Sequence, residues 1–316
     1  MKSASRRILI TGAAGCAGRH LIELAIANGT EVHGIVRGNI SINGIKIHIG
    51  DLTIPNFIDS VIDSVQPEWI FHLAAKIPGG TPPPGPEDFI TSNILGTQNL
   101  LEAVRKKAPS ARILIAGSSA VYGRPSVPDD PLCETAPFQP QSLYAVTKAA
   151  QDMLAQQFYT EHGLLTVRAR TFNQTGPGEP AGLVVATLAK QIVRIEEELQ
   201  EPELYAGTLL PSRDFTDVRD IVRAYWDIIE LGIPGDAYNV CSGYPTSICE
   251  IANTLVELSS VPKIKIIETG PPPGPLAIMT QKGEGSKLHA LSGWSPKIPI
   301  KKSLQDTLLI LRNMSQ

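Results

Sequence analysis

Cysteine is scarce in this chain and shows no pattern. Cys16, Cys133, Cys241 and Cys249 are scattered over 316 residues with no C-x-x-C pair among them. That argues against a metal site and for reduced thiols in the cytoplasm. Charge of one sign is equally thin: the formal net charge is -3 and no basic stripe appears, so nucleic acid is a poor partner. Long apolar runs are missing too. The polar, basic start Met1 to Arg7 passes straight into Ile8-Leu9-Ile10, a run too short for a signal peptide or a membrane span. What is present is 42% hydrophobic and 19% charged. That is enough apolar matter for a sizeable core, and disorder is excluded. The length suits one large α/β unit with a smaller lobe.

Short β-branched runs alternate with helical periodicity in the first half. Strands are expected at Arg6–Thr11, Glu31–Val36, Ile45–Ile49, Trp69–Leu73, Arg112–Ala116 and Leu165–Arg170. Helices are expected at Ala14–Asn28, Phe89–Lys107 and Ser142–His162. This alternation implies an α/β fold, a Rossmann-type doubly wound parallel sheet with right-handed crossovers. After Thr175 the pattern breaks at Pro177, Gly178, Pro180 and Gly182. Helices near Leu183–Glu198 and Val218–Leu231 follow, with strands at Leu204–Ala206 and Ala237–Val240. The expected division is a dinucleotide-binding unit over residues 1–174. Residues 175–316 form a smaller, mainly substrate-binding lobe, with some segments returning to the first unit. The proline- and glycine-rich stretch Pro78 to Pro86 follows the fourth strand, on the rim where ligands bind in such sheets.

The first strand runs into Gly12-Ala13-Ala14-Gly15-Cys16-Ala17-Gly18. Gly12 permits the tight strand-to-helix turn, Gly15 lets backbone approach a pyrophosphate, and Gly18 lets helix pack on strand. The free N–H groups of the helix start then face the phosphates. The second strand ends in Arg37 rather than a carboxylate, which favours a 2′-phosphate and hence NADP(H), with NAD(H) as the alternative. Asp51 and Leu52, after the third strand, either border the adenine or form an ordinary turn around the Asp51 carboxylate. Leu73, Ala74 and Ala75, after the fourth, are small enough to let a cofactor lie against the sheet.

Tyr144 and Lys148 stand four residues apart and share one helix face. A free phenol is too weak an acid for exchange at neutral pH. A lysine cation beside it lowers that pKa and holds the nicotinamide ribose. Ser118, after the fifth strand, can hydrogen-bond the oxygen that Tyr144 protonates. Arg213 suits a diphosphate clamp, against the plainer reading of a salt bridge to Asp214 or Asp217. Asp217 reads as the N-cap of the helix at Val218.

Gly12–Gly18, His72–Ala75, Asn93-Ile94-Leu95-Gly96-Thr97, Ser118–Gly123 and Tyr144–Lys148 occur in that order. Together they resemble the extended short-chain dehydrogenase/reductase superfamily, the epimerase/dehydratase group. In the second half, Arg170–Gly178, Ala189–Val193, Ser212–Asp220 and Tyr238–Gly243 are similar to the GDP-4-keto-6-deoxy-D-mannose reductases. These are relatives of the GDP-mannose 4,6-dehydratases. The resemblance implies Ser118, Tyr144 and Lys148 as catalytic residues. It adds Asn93 and Thr171 to the cofactor contacts and Ser119, Ala120, Asn173, Lys190 and Arg213 to the substrate contacts. It implies a sugar-nucleotide substrate, and a homodimer formed through the helices Phe89–Lys107 and Ser142–His162. Two departures stand out. Ala120 occupies a position that is acidic in the dehydratases, which argues against 4,6-dehydration. Pro273–Met279 replaces the Arg and Glu that close over the nucleotide in related reductases. The expected reaction is NADPH-dependent reduction of a 4-keto sugar nucleotide. The alternatives are an NAD-dependent 4-epimerase or a regulatory NADP-binding protein without turnover.

Overall fold

The computed structural model describes residues 5–79, 83–127 and 129–315. The first half supplies β1 (Arg7–Thr11), α1 (Cys16–Ala27), β2 (Glu31–Val36), β3 (Lys46–Ile49), α2 (Pro55–Val65), β4 (Trp69–His72), α3 (Pro86–Phe89), α4 (Gly96–Lys107), β5 (Arg112–Ala116), α5 (Leu143–His162) and β6 (Leu165–Thr171). The second supplies β7 (Asn173–Thr175), α6 (Val184–Glu196), β8 (Glu203–Ala206), β9 (Ser212–Asp217), α7 (Val218–Leu231), β10 (Ala237–Val240), β11 (Pro245–Ser247), α8 (Ile248–Glu257), β12 (Lys265–Glu268), β13 (Thr280–Gln281), α9 (Ser286–Ser292) and α10 (Ile300–Ser315).

The Rossmann-type doubly wound sheet is present. Seven parallel strands run in the order β10-β6-β5-β4-β1-β2-β3. The inner strands β1, β4 and β5 are near-continuous apolar runs because both faces are covered. Ile8 and Ile10 point into one layer with Leu21, Ile22, Ile221 and Ile228. Leu9, between them, points into the other with Ile58, Leu101, Val104 and Phe158. Each such side chain contributes about 1.5–3 kcal/mol of burial free energy. The last strand of the sheet, β10, comes from the second half of the chain, and α7 packs on α1 in the first layer.

A separate core joins Val185, Leu188 and Ile192 of α6 to Leu204, Phe215, Leu255 of α8 and Leu304 of α10. Around it lie a sheet in the order β11-β9-β13, with β7 also pairing β9, and the pair β12-β8. This half contains more structure than its periodicity promises. The two- and three-residue strands β7, β11 and β13 carry no readable pattern, and α8 announces itself only by a capping box between Ser247 and Glu250. In the first half, the expected helix Phe89–Lys107 is interrupted by a π-helical turn over Ile90–Leu95. Of the stretch Pro78 to Pro86, residues 80–82 lie outside the described residues, and Gly79 approaches Gly182 across the rim. Among the described residues, no helix is long and apolar enough to cross a membrane.

Candidate active site

A cavity of about 350 Å³ opens at the carboxyl ends of β1, β2 and β4. Gly12, Ala14 and Gly15 form one wall, Arg37 and Gly38 another, and Asp51, Leu52, Leu73, Ala74 and Ala75 the floor and far side. Gly12 has φ 71°, and a Cβ there would lie 2.8 Å from the Ala74 nitrogen. A Cβ on Gly18 would run into the Gly12 carbonyl oxygen. Only glycine therefore lets loop, helix and β4 end meet. Arg37 is exposed at the cavity edge and, among the described residues, makes no ion pair. A glycine cradle at a helix start beside an unpaired guanidinium fits a dinucleotide carrying a 2′-phosphate. Ile35, Val36, Ile40, Gly50 and Ser92 complete the lining. The sequence offered no signal for these beyond the strand ends near which Ile35, Val36, Ile40 and Gly50 lie.

Beyond this cavity the rim gathers Ser118, Tyr144 and Lys148. Ser118 follows β5, and its oxygen accepts the Ala120 N–H at 3.2 Å. Its hydroxyl proton is thereby left for Tyr144, toward which it hydrogen-bonds. Helix α5 starts at Ser142, whose side chain accepts the Ala145 N–H. One turn on, the Lys148 ammonium donates to the Ala116 carbonyl at 2.8 Å. Burial pulls Lys148 down to about 8. The expected electrostatics need a correction at Tyr144. Burial raises its pKa and the Ser118 hydroxyl partly offsets that, while the Lys148 ammonium is directed at a backbone carbonyl instead. The phenol is therefore held in its protonated form, and its ring meets Phe89 edge-on at 6.2 Å between centroids.

Other expected contacts are placed differently. Asn93 is fully buried in the π-helical turn, where its side chain accepts from Lys76 N–H and donates to the Lys76 carbonyl and Thr147. It fixes the loop after β4 and has no face toward the cavity. Ser119 is also buried, with its hydroxyl donating to Gln281 of β13. Cys16 turns its thiol to the Pro177 carbonyl, and burial raises its pKa to about 12. Ala17 is half-buried in the same turn, and the Asp51 carboxylate accepts the Thr53 N–H. Asn173 and Ala120 are half-buried near the rim, and Lys190 is exposed on α6. Arg213 pairs with neither Asp214 nor Asp217. Its guanidinium donates to the carbonyls of Ser212, Ile278 and Met279, so it braces the segment that departs from the reductase pattern. Asp217 caps α7 by accepting the Arg219 N–H.

A chain of hydrogen bonds that the sequence did not announce lies under both sites. The Ala74 N–H donates to Thr11, and Thr11 lies 2.8 Å from His72 Nδ1. On the other side of the ring, His72 Nε2 lies 2.8 Å from Thr97, whose hydroxyl donates to the Asn93 carbonyl. With the Thr97 proton so used, His72 carries its proton on Nε2 and accepts from Thr11 at Nδ1. Burial and the nearby Lys148 push its pKa down to about 3, so it stays neutral.

Comparison with known proteins agrees with this geometry. Residues 9–307 match the model of the GDP-mannose 4,6 dehydratase family. The chain is 31% identical to a GDP-6-deoxy-D-mannose reductase of Pseudomonas aeruginosa, over 96% of each chain. It superposes on the structure of RMD from Pseudomonas aeruginosa complexed with NADPH with a TM-score of 0.87 and 30% identity, covering 98% of this chain and 100% of that one. The UDP-glucose 4-epimerase of Thermus thermophilus in complex with NAD gives 0.85 and 27%, with 97% and 99% covered.

Proposed function

The chain belongs to the GDP-mannose 4,6 dehydratase family, among the extended short-chain dehydrogenases/reductases, and we propose that it is an NADPH-dependent reductase of a 4-keto sugar nucleotide. The substrate proposed is GDP-4-keto-6-deoxy-D-mannose. The observation that carries this reading is the rim itself: a protonated Tyr144, oriented by Ser118 and one helical turn from Lys148, beside a cavity edged by the unpaired Arg37. When bound, NADPH supplies the two electrons of the reduction at C4. Tyr144 donates its proton to the oxygen at C4, and Ser118 holds that oxygen in line. Lys148, buried and close to the rim, is placed to take the nicotinamide ribose hydroxyls. Arg37 receives the 2′-phosphate, and Arg213, held by the carbonyls of Ile278 and Met279, faces the nucleotide diphosphate. Residues 175–316 form mainly the sugar-nucleotide lobe in this reading. The protein works in the cytoplasm as a homodimer.

The deciding experiment follows NADPH absorbance with freshly generated GDP-4-keto-6-deoxymannose. Wild type is expected to oxidise NADPH rapidly, and Tyr144→Phe to lose about 10²–10⁴-fold in rate while still binding the dinucleotide. Full activity in Tyr144→Phe would sink the mechanism. Two observations favour a second reading: Ala120 and the likeness to an NAD-bound epimerase fit a 4-epimerase. NAD co-purifying with the protein, and no net NADPH consumption, would select it.

A further inference from the structure

Tyr225 lies on the inner face of α7 and is 3% exposed, yet nothing in the reading above uses it. Its phenol oxygen is 2.8 Å from Thr171 Oγ1, itself buried. Thr171 ends β6. Ala169, two residues earlier, pairs with Ala116 of β5, and its carbonyl accepts the Gly117 N–H at 2.7 Å. Thr171 therefore ends level with Gly117 and Ser118, on the rim of the triad. Side chains alternate along β6, so Thr171 shares the face of Val167 and Ala169, which pack in the layer of α1 and α7. The triad helix α5 covers the opposite face, where its Ala155 and Phe158 pack. A ring laid along the rim thus meets Tyr144 and Lys148 from one side and the two hydroxyls from the other.

The hydroxyl pair is chemically incomplete. Two hydroxyls carry two protons, and the bond between them uses one. Among the described residues, neither hydroxyl makes a second hydrogen bond; Val167, Ala169, Ile221, Val222 and Val240 of the same core layer are apolar, and the Tyr144 phenol acts on Tyr225 through its charge without bonding to it. A buried donor without a partner is unfavourable, so an acceptor supplied from the rim is favoured. Burial, with Tyr144 adding to it, pushes the Tyr225 phenol up to about 12, so the donor persists at neutral pH.

We propose that Thr171 contacts the carboxamide of the nicotinamide ring and that Tyr225 is the positioning residue that aims the Thr171 hydroxyl. This rests on the dinucleotide reading above and adds the nicotinamide end to it. The test is calorimetric binding of two ligands, NADPH and 2′-phospho-ADP-ribose, which is the same molecule without nicotinamide. Tyr225→Phe and Thr171→Val are each expected to weaken NADPH about tenfold, the effect of one hydrogen bond. Both should leave 2′-phospho-ADP-ribose unchanged, and that unchanged affinity also shows that the fold is intact. Their effects on NADPH should not add, and Thr171→Ser should restore wild-type affinity. Equal losses for both ligands would mean that the pair only supports packing, and no loss for either would remove it from the site; each result overturns the proposal. Wild type that binds neither ligand would instead overturn the dinucleotide reading on which it rests.

Discussion

Glu179 shows how much a single side chain is governed by its surroundings. It follows the glycine-proline loop that lies on α1, and its carboxylate accepts from Thr175 at 2.8 Å. Burial nevertheless raises its pKa to about 7, against hydrogen bonds from Thr175 and the backbone of Ala186 and Gly176. A folded pKa above the unfolded value means that the folded state binds the proton more tightly. The stability this brings is complete below the unfolded carboxylate range and is lost as pH rises through about 7. Glu179→Gln should therefore remove part of the pH dependence of the thermal midpoint. The variant should gain on wild type between pH 5 and pH 8, and parallel curves would show that Glu179 does not titrate in this window. No sequence signal marks this residue, because its acidity depends on what α6 and β7 place around it.

At the scale of elements, α5 matters most. Its Tyr144 and Lys148 face the rim, and the next turn anchors it. Asp152 is 2% exposed and receives Arg168 at 2.6 Å and Arg170 at 2.8 Å, both from β6. Arg170 also donates to Tyr122, whose hydroxyl donates to Asn239 of β10. The ion pairs thus tie α5 to β6, and hydrogen bonds through Tyr122 carry the link on to β10. Removing one partner of a buried pair strands the other charges without water. Asp152→Ala is expected to destabilise by about 3–5 kcal/mol in denaturant unfolding, and a loss under about 1 kcal/mol would count against this anchoring. The π-helical turn at Ile90–Leu95 has a similar purpose. It points Asn93 inward to hold Lys76 and Thr147, where a regular helix would turn the residue elsewhere.

For the whole molecule, the outer face of the same helices is informative. Leu143, Val146 and Met153 on α5 are exposed, Met153 to 64%, and Ile90 and Leu95 lie exposed just ahead of α4. Leu143, Val146 and Met153 recur at helical spacing and form an apolar stripe partly open to solvent. In the proposed homodimer a second copy lays its own α4 and α5 on that stripe by two-fold symmetry. Val146→Glu combined with Met153→Glu should convert a dimer to a monomer in sedimentation velocity without unfolding it. A wild-type protein that sediments as a monomer at micromolar concentration would end this assignment.

Local chemistry was legible from the sequence alone. Ile8, Leu9 and Ile10 read as a short strand. The glycines at 12, 15 and 18 read as a close-packed turn because they follow that strand and open an amphipathic helix. Tyr144 and Lys148 had to share one helical face. Asp217, directly ahead of an apolar-periodic run, had to cap it. These conclusions follow from period, steric size and hydrogen-bonding capacity, which are properties of neighbouring residues. The tertiary structure decided what depends on residues far apart in the chain. It turned Asn93 and Ser119 inward, gave Arg213 backbone carbonyls in place of a carboxylate, and raised Tyr144 by burial where spacing alone suggested that Lys148 would lower it. It also set Tyr225 against Thr171, 54 residues apart. Burial and long-range pairing set the acidity and direction of a side chain, and neither is written in the residues beside it.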